Sequence, residues 1–326
     1  MNDFVKIQEQ LSSYLEDINV TITESLSSSN TLLNNITDFF LNRKGKQIRP
    51  ILTLLTASVF GLPNKNTING AAALELLHNA SLIHDDVVDN STQRRSIHTI
   101  NKLWGNRIAV LVGDYFVSSA LQRALITNDI KIVSSIGNLG QQLSVGELDQ
   151  INNSSNSILS EQAYIEMIAR KTASLFVACA QTGCASVNAP EDATDKLVEF
   201  ARLMGICFQI KDDIFDYLPQ CTNNLGKPVG NDLLEGKITL PLIKVLLDDR
   251  QKGIEENISI AFKTDITPKE VDYLIDYARD KGGVDYAVEV MNDLSCKASE
   301  ILQSIPYSEA IENLNSLFRY VIQRNY

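Results

Sequence analysis

Leu82-Ile83-His84-Asp85-Asp86-Val87-Val88-Asp89 places three carboxylates on a segment whose neighbours read as a buried helix. On a 3.6-residue period Asp85 and Asp89 share a face, and Asp86 lies about 100° round from Asp85. The triplet makes one acidic edge. The same spacing returns in Asp212-Asp213-Ile214-Phe215-Asp216, 127 positions later (212 − 85), after the apolar run Leu203-Met204-Gly205-Ile206-Cys207-Phe208. Two matched acidic edges facing each other across a cavity would hold something strongly positive. Unpaired carboxylates beside a core are costly, so two copies set between apolar turns argue for a ligand rather than for a solvated helix face.

Outward from that stretch the periodicity is helical. A helix from about Ala71 to Asp89 carries His78, Asp85 and Asp89 at i, i+7 and i+11, one face followed for three turns. Asn90 to Arg95 breaks it. Proline is absent between Pro63 and Pro190, and long parts of that interval keep helical spacing, so the expected fold is all-α. Residues 1 to about 40 read as one or two amphipathic helices broken at Ser27-Ser28-Ser29-Asn30. A basic turn, Lys44-Gly45-Lys46-Gln47-Ile48-Arg49-Pro50, leads into a helix from Ile51 to Phe60, which Gly61-Leu62-Pro63-Asn64 ends. Further helices are expected over 109–126, 130–150, 161–185 and 193–216, with a loop at Asn152 to Ser157. The loop from Asn223 to Asp232 contains Lys227, and Leu240 to Tyr326 reads as helical scaffold without obvious chemistry. No linker-like stretch divides the chain, so 1–326 reads as a single domain.

An apolar fraction of 44% and a charged fraction of 21% suit a globular protein with a substantial core. A net charge of −11 argues against a general binder of nucleic acid or of an anionic membrane, while leaving room for a local basic cluster. The five cysteines form no CxxC pair, and buried free thiols in a reducing, cytoplasmic setting are the expectation. The N-terminus has no basic-then-apolar signal pattern. The most uniformly apolar segment, Ala173 to Ala185, is too short and too polar to span a bilayer, so no stable membrane insertion is expected.

Oxygen ligands without thiolate or imidazole partners suit a hard cation, and carboxylates that leave room for water and phosphate suit Mg²⁺. His84 reads better as a packed neighbour than as a ligand. Positive residues cluster near the acidic motifs: Lys46 with Arg49, Arg94 with Arg95, then Lys171, Lys211, Lys227 and Lys237. Arginine forks bind phosphate oxygens in bidentate fashion. Carboxylates that recruit Mg²⁺, ringed by such cations, describe a diphosphate site, to which His78 could donate.

Together these residues resemble the all-trans isoprenyl diphosphate synthases over most of the chain, from Gly45 to about Pro241. Gly45-Lys46 through Arg49-Pro50 is similar to that family's GGKRxRP element, and His78 through Arg95 to its HxxSLIHDDxxD with the double arginine. Gly113-Asp114-Tyr115, Gly146-Glu147-Leu148, Lys171-Thr172, Phe208 through Asp213, Gly226-Lys227, Asp232 and Lys237 match in order. The resemblance implies a helical bundle of the isoprenoid synthase type around a deep central cavity, and a homodimer. It implies that Asp85, Asp86, Asp89, Asp212, Asp213 and Asp216 hold Mg²⁺ on an allylic diphosphate. Arg94, Lys171, Thr172, Gln209, Lys211, Lys227 and Lys237 would surround that diphosphate, with Lys171 and Lys237 counted as catalytic beside the aspartates. Lys46, Arg49, His78 and Arg95 would hold isopentenyl diphosphate. The implied reaction is condensation of the two substrates with loss of diphosphate, which the cation and basic side chains stabilise.

Lys44 and Gln47 stand where the family often has glycine and arginine, and Ser96 and His98 replace a common glycine and proline. Product length in the family follows the bulk just before the first motif. Ala80 and Ser81 are small there, with Leu76 and Leu77 a turn deeper and Ala73 beyond. The expected product is therefore a long-chain polyprenyl diphosphate of the quinone side-chain type. A short-chain geranylgeranyl or farnesyl diphosphate synthase is the alternative. A terpene cyclase and a non-catalytic partner subunit are more remote, because both aspartate motifs are intact.

Overall fold

The computed structural model describes residues 2–42, 45–94, 97–218 and 229–324. The fold is all-α: among the described residues, the strands are Gln93–Arg94 and Ile97–His98, a two-residue antiparallel ladder. Packing divides the chain into two compact units. One comprises residues 1–141, 175–201 and 301–320, and the other residues 142–174, 202–300 and 321–326.

In the first unit, Asn2–Gln10 and Ser12–Leu26 precede the break at Ser27 to Asn30, and Asn30 caps Thr31–Leu41 by accepting from the Leu33 N–H at 3.0 Å. Ser12–Leu26 buries Leu15, Ile18, Ile22 and Leu26, a single stripe at helical spacing. Ile48–Ser58 starts three residues before the expected Ile51, and every residue from Pro50 to Ala57 is buried. The central helix is Lys65–Val88. It begins six residues ahead of the expected Ala71 because Asn64 and Thr67 form a reciprocal capping box, which satisfies otherwise unpaired N–H groups. Each large apolar side chain buried in these helices contributes about 2 kcal/mol relative to exposure.

Asn106–Ile126 packs beside the central helix. It is long and apolar enough to cross a membrane by length and composition, as the core helix of a soluble protein also can be, and it carries Arg107, Asp114 and Arg123. Its Gly113 lies against the His84 ring, which would have to shift to admit a Cβ there.

In the second unit, the stretch expected to be one helix over 161–185 is interrupted. Glu161–Ile168 runs into a π-helical turn, Ala169–Ala173, before the α-helix resumes as Ser174–Ser186. Such turns have no distinctive side-chain pattern and often mark functional sites. Ile130–Ser155 also continues past Gln150 and absorbs part of the polar run expected to be a loop. Helices Leu240–Gln251, Glu256–Ala261 and Pro268–Asp280 gather round the buried Asp249, which accepts from Asn257 at 2.8 Å and from the Tyr277 hydroxyl.

Candidate functional site

The first acidic motif closes the central helix. Asp85 is half-buried and Asp89, at the helix C-cap, is exposed, so the face shared by these two opens outward. Asp86 points elsewhere: it is 7% exposed, and its Oδ1 accepts from Nε of Arg94 at 2.9 Å, with Nη2 also at 2.9 Å. The chain leaving the helix is held by one backbone bond and by the Asn101 side chain. Ser91 N–H donates to Asp86 O at 2.9 Å, and Asn101 donates to both Asp86 O and Ser91 O at 3.0 Å. His84 contacts Val110 O and Asp114 Oδ1, each at 3.3 Å, which makes it a packed neighbour between the central helix and Asn106–Ile126.

One to two turns earlier on the same helix, Ser81 precedes Asp85 by four residues and shares its face, donating its hydroxyl to His78 O at 2.9 Å. His78 and Ser81 are half-buried, and Leu77 is 7% exposed. Ala80 is 0% exposed. Of the two small residues, only Ser81 has accessible surface.

The basic turn keeps a left-handed residue, Gln47, at φ 55°. That conformation costs a non-glycine residue on the order of 1 kcal/mol, and side chains hold it. Gln47 donates to Asn19 Oδ1 at 2.9 Å, and Gln8 donates to Lys46 O at 3.3 Å. Gln47, a departure from the family pattern, is thereby an anchor of the turn. The Lys46 ammonium lies 5.6 Å from the centroid of Tyr320, and Arg49 in the next turn pairs with Glu75 at 3.5 Å.

In the second unit Asp213 is 3% exposed, and both its oxygens are hydrogen-bonded: Tyr164 OH donates to Oδ2 at 2.5 Å and Gln209 Nε2 to Oδ1 at 2.7 Å. Thr172, in the π-helical turn, donates to Gln209 Oε1 at 2.7 Å. Burial pushes the Asp213 carboxyl well above the usual range, Asp232 adds to this, and the two hydrogen bonds oppose it. Burial also raises the Tyr164 phenol, followed by the Asp213 charge. Asp216 accepts from the Asn231 and Asp232 backbone N–H groups at 3.2 Å each, and burial with the Asp232 charge pushes it up to about 6. Asp212 accepts from Arg324, whose guanidinium is 3.8 Å from the Phe208 ring centroid and also donates to Phe208 O at 3.1 Å.

Lys171 donates to Glu147, and to Gln150 Oε1 at 3.0 Å. Gly146 permits this, because a Cβ there would come within 2.6 Å of the Lys171 backbone nitrogen. Lys237 donates to Glu235 at 2.6 Å, and Lys211 lies 4.8 Å from the Phe215 centroid. Arg95 and Lys227 lie outside the described residues. The structure therefore gathers Gln209, Thr172 and Asp213 into one network with Tyr164, and gives Lys171, Lys237 and Arg94 acidic partners of their own. Tyr164 and Arg324 carried no sequence signal as site residues. Arg324, from the stretch after Leu240 expected to be scaffold, pairs with Asp212 of the second motif.

Among the described residues, no three carboxylate, imidazole or thiol side chains lie close enough to hold a metal ion by themselves. Mg²⁺ keeps several waters and is typically held by one or two carboxylates together with substrate phosphates. The donors that open outward, Asp85, Asp89 and the partly exposed Asp212, are all hard oxygen ligands.

The fold is an all-helical scaffold with two aspartate motifs and several cationic side chains set along its helices. The polyprenyl synthetase family model matches residues 30–278, and the chain belongs to that family. It is 32% identical over 324 residues to the octaprenyl diphosphate synthase of Haemophilus influenzae, covering 98% of this chain and 97% of that protein. The geranylgeranyl pyrophosphate synthase of Bacteroides thetaiotaomicron is 35% identical, with a TM-score of 0.83 over 99% of this chain and 100% of that one. The polyprenyl synthase of Caulobacter crescentus, solved with calcium and isoprenyl diphosphate, is 28% identical, with a TM-score of 0.90 over 99% of this chain and 98% of that one.

Proposed function

We propose that this chain is a Mg²⁺-dependent trans-prenyltransferase that condenses isopentenyl diphosphate with an allylic diphosphate and makes a long-chain polyprenyl diphosphate. The observation that carries this is the family match over residues 30–278, inside which both aspartate motifs stand intact. Asp85, Asp86, Asp89, Asp212, Asp213 and Asp216 would hold Mg²⁺, with Arg94 orienting Asp86, Tyr164 and Gln209 orienting Asp213, and backbone N–H groups orienting Asp216. Bound Mg²⁺ would neutralise charge on the departing diphosphate. Lys171, Lys211, Lys227, Lys237 and Arg94 would share that task for the allylic substrate, while Lys46, Arg49, His78 and Arg95 would bind isopentenyl diphosphate. Because Lys171, Lys237 and Arg94 have acidic partners of their own, substrate would draw each away from a carboxylate on binding.

A long product is supported by the small, accessible Ser81 on the Asp85 face and by likeness to an octaprenyl synthase. Likeness to a geranylgeranyl synthase keeps the shorter product as the competing outcome. A single catalytic domain over 1–326, acting as a homodimer in the cytoplasm, completes the proposal. Exposed apolar side chains at Val110, Leu111, Leu121 and Leu125 on Asn106–Ile126 support the dimer. The free thiols Cys179, Cys184, Cys207 and Cys296 support a reducing compartment.

The test is incubation of purified protein with labelled isopentenyl diphosphate, Mg²⁺ and each of dimethylallyl, geranyl, farnesyl and geranylgeranyl diphosphate. Products are resolved by reversed-phase chromatography. Elongation beyond twenty carbons is expected, and no elongation with any primer would reject the activity.

A further inference from the structure

Arg49 stands in the first turn of Ile48–Ser58, and Glu75 lies one turn before His78 on Lys65–Val88, both within the first unit. Their ion pair, Arg49 Nη1 to Glu75 Oε1, is 3.5 Å long and is not a hydrogen bond. Two further facts make it unusual. Arg49 Nε and Glu75 Oε1 are both buried, and among the described residues neither has a hydrogen-bond partner. One is a lone donor and the other a lone acceptor, on side chains already in contact.

An unsatisfied buried polar atom costs about 1–3 kcal/mol, so two complementary ones left side by side mark a pair held short of its best geometry. The neighbouring Cys179 thiol is fully buried and is pushed up to about 12 mainly by burial, with the Thr53 hydrogen bond and the Arg49 charge opposing. A cation in the first turn of a helix is also opposed by the helix dipole. Arg49 therefore depends on Glu75 for its placement.

We propose that Glu75 is the positioning residue for Arg49. A small rotation of the guanidinium closes Nε–H onto Glu75 Oε1, and this turns the Nη1/Nη2 edge outward for bidentate contact with a diphosphate. The inference rests on the assignment of Arg49 to isopentenyl diphosphate made above. A plain counter-charge role for Glu75 predicts the opposite sign. A carboxylate beside an anion site repels the ligand, so its removal would tighten binding, whereas loss of a positioning residue weakens it.

Steady-state kinetics separate the two. Glu75→Leu removes the acceptor, and Glu75→Gln keeps an acceptor without the charge. The expected result is a rise of about tenfold in KM for isopentenyl diphosphate with Leu, equivalent to about 1.4 kcal/mol. With Gln the rise should be less than about threefold, and KM for farnesyl diphosphate should change little in either. An unchanged or lowered KM for isopentenyl diphosphate in Glu75→Leu overturns the proposal. So does a parallel rise in both KM values, which would report general disruption, and thermal unfolding of each variant checks that independently. Arg49→Gln is the control for the underlying assignment. If it leaves KM for isopentenyl diphosphate unchanged, that assignment fails; if it raises KM while Glu75→Leu does not, only the role of Glu75 falls.

Discussion

Replacing Tyr164 with phenylalanine tests whether the second aspartate motif works through a buried brace. The hydroxyl is the donor to Asp213 Oδ2 at 2.5 Å, and Tyr164 is 2% exposed, so no solvent replaces it. Tyr164→Phe removes one oxygen and leaves the ring in place. A hydrogen bond to a charged group is worth about 1.5–3 kcal/mol, and leaving the carboxylate oxygen buried without its donor costs a similar amount. A central value of about 2 kcal/mol corresponds to roughly 30-fold in an equilibrium constant. Gln209 still donates to the other oxygen, so Asp213 stays in place but is free to rotate. Loss of partners that orient metal-site carboxylates typically reduces metal affinity or activity by about 10–100-fold. Titration of Mg²⁺ against incorporation of labelled isopentenyl diphosphate should therefore show a half-saturating concentration raised about 30-fold. The unfolding midpoint should drop by no more than about 4 °C, taking about 2 °C per kcal/mol for a chain of this size. A variant that matches the parent protein in both measurements would refute the brace. A large fall in stability with unchanged Mg²⁺ dependence would assign Tyr164 to the core alone.

Ser81→Phe should shorten the product ladder on reversed-phase chromatography, because Ser81 is accessible and lies four residues before Asp85 on its face; an unchanged ladder would reject the role of position 81. Ala80→Phe has no accessible space to enter, and it should lower stability by about 1–3 kcal/mol through overpacking, read by urea unfolding. Arg324→Ala removes a guanidinium whose side chain is 5% exposed and which pairs with Asp212, so incorporation should fall at least tenfold in a turnover assay. Glu270 is held down to about 2 by the Thr267 backbone N–H, the Thr267 hydroxyl and Lys263. A depressed carboxyl stabilises the fold above its ordinary value of 4.5, and that share is lost as pH falls through about 2. Glu270→Gln should flatten the acid decline of the urea midpoint across that window, and an identical decline would reject the linkage.

The sequence by itself determined the helical fold, the place of the central helix and the identity of the two aspartate motifs. Apolar spacing, turn residues and paired carboxylates are local patterns that survive without tertiary context. Element ends were less legible. Lys65–Val88 begins at Asn64 because of a capping exchange with Thr67, and polar residues such as Asn152 to Ser155 are held helical by continuation of the helix that precedes them. The π-helical turn at Ala169–Ala173 left no mark, since one extra residue in a turn changes no composition. Only the tertiary structure decided which carboxylates are braced and which open outward. Asp85 and Asp86 are adjacent in the chain, yet one is half-buried on an open face and the other is turned onto Arg94. Tyr164 reaches Asp213 across 49 positions, and Arg324 reaches Asp212 across 112. Such partners follow from packing at long sequence separation, which no period or motif encodes. The first motif told what chemistry to look for, and the packing told which of its carboxylates is buried onto Arg94 and which stand at the surface.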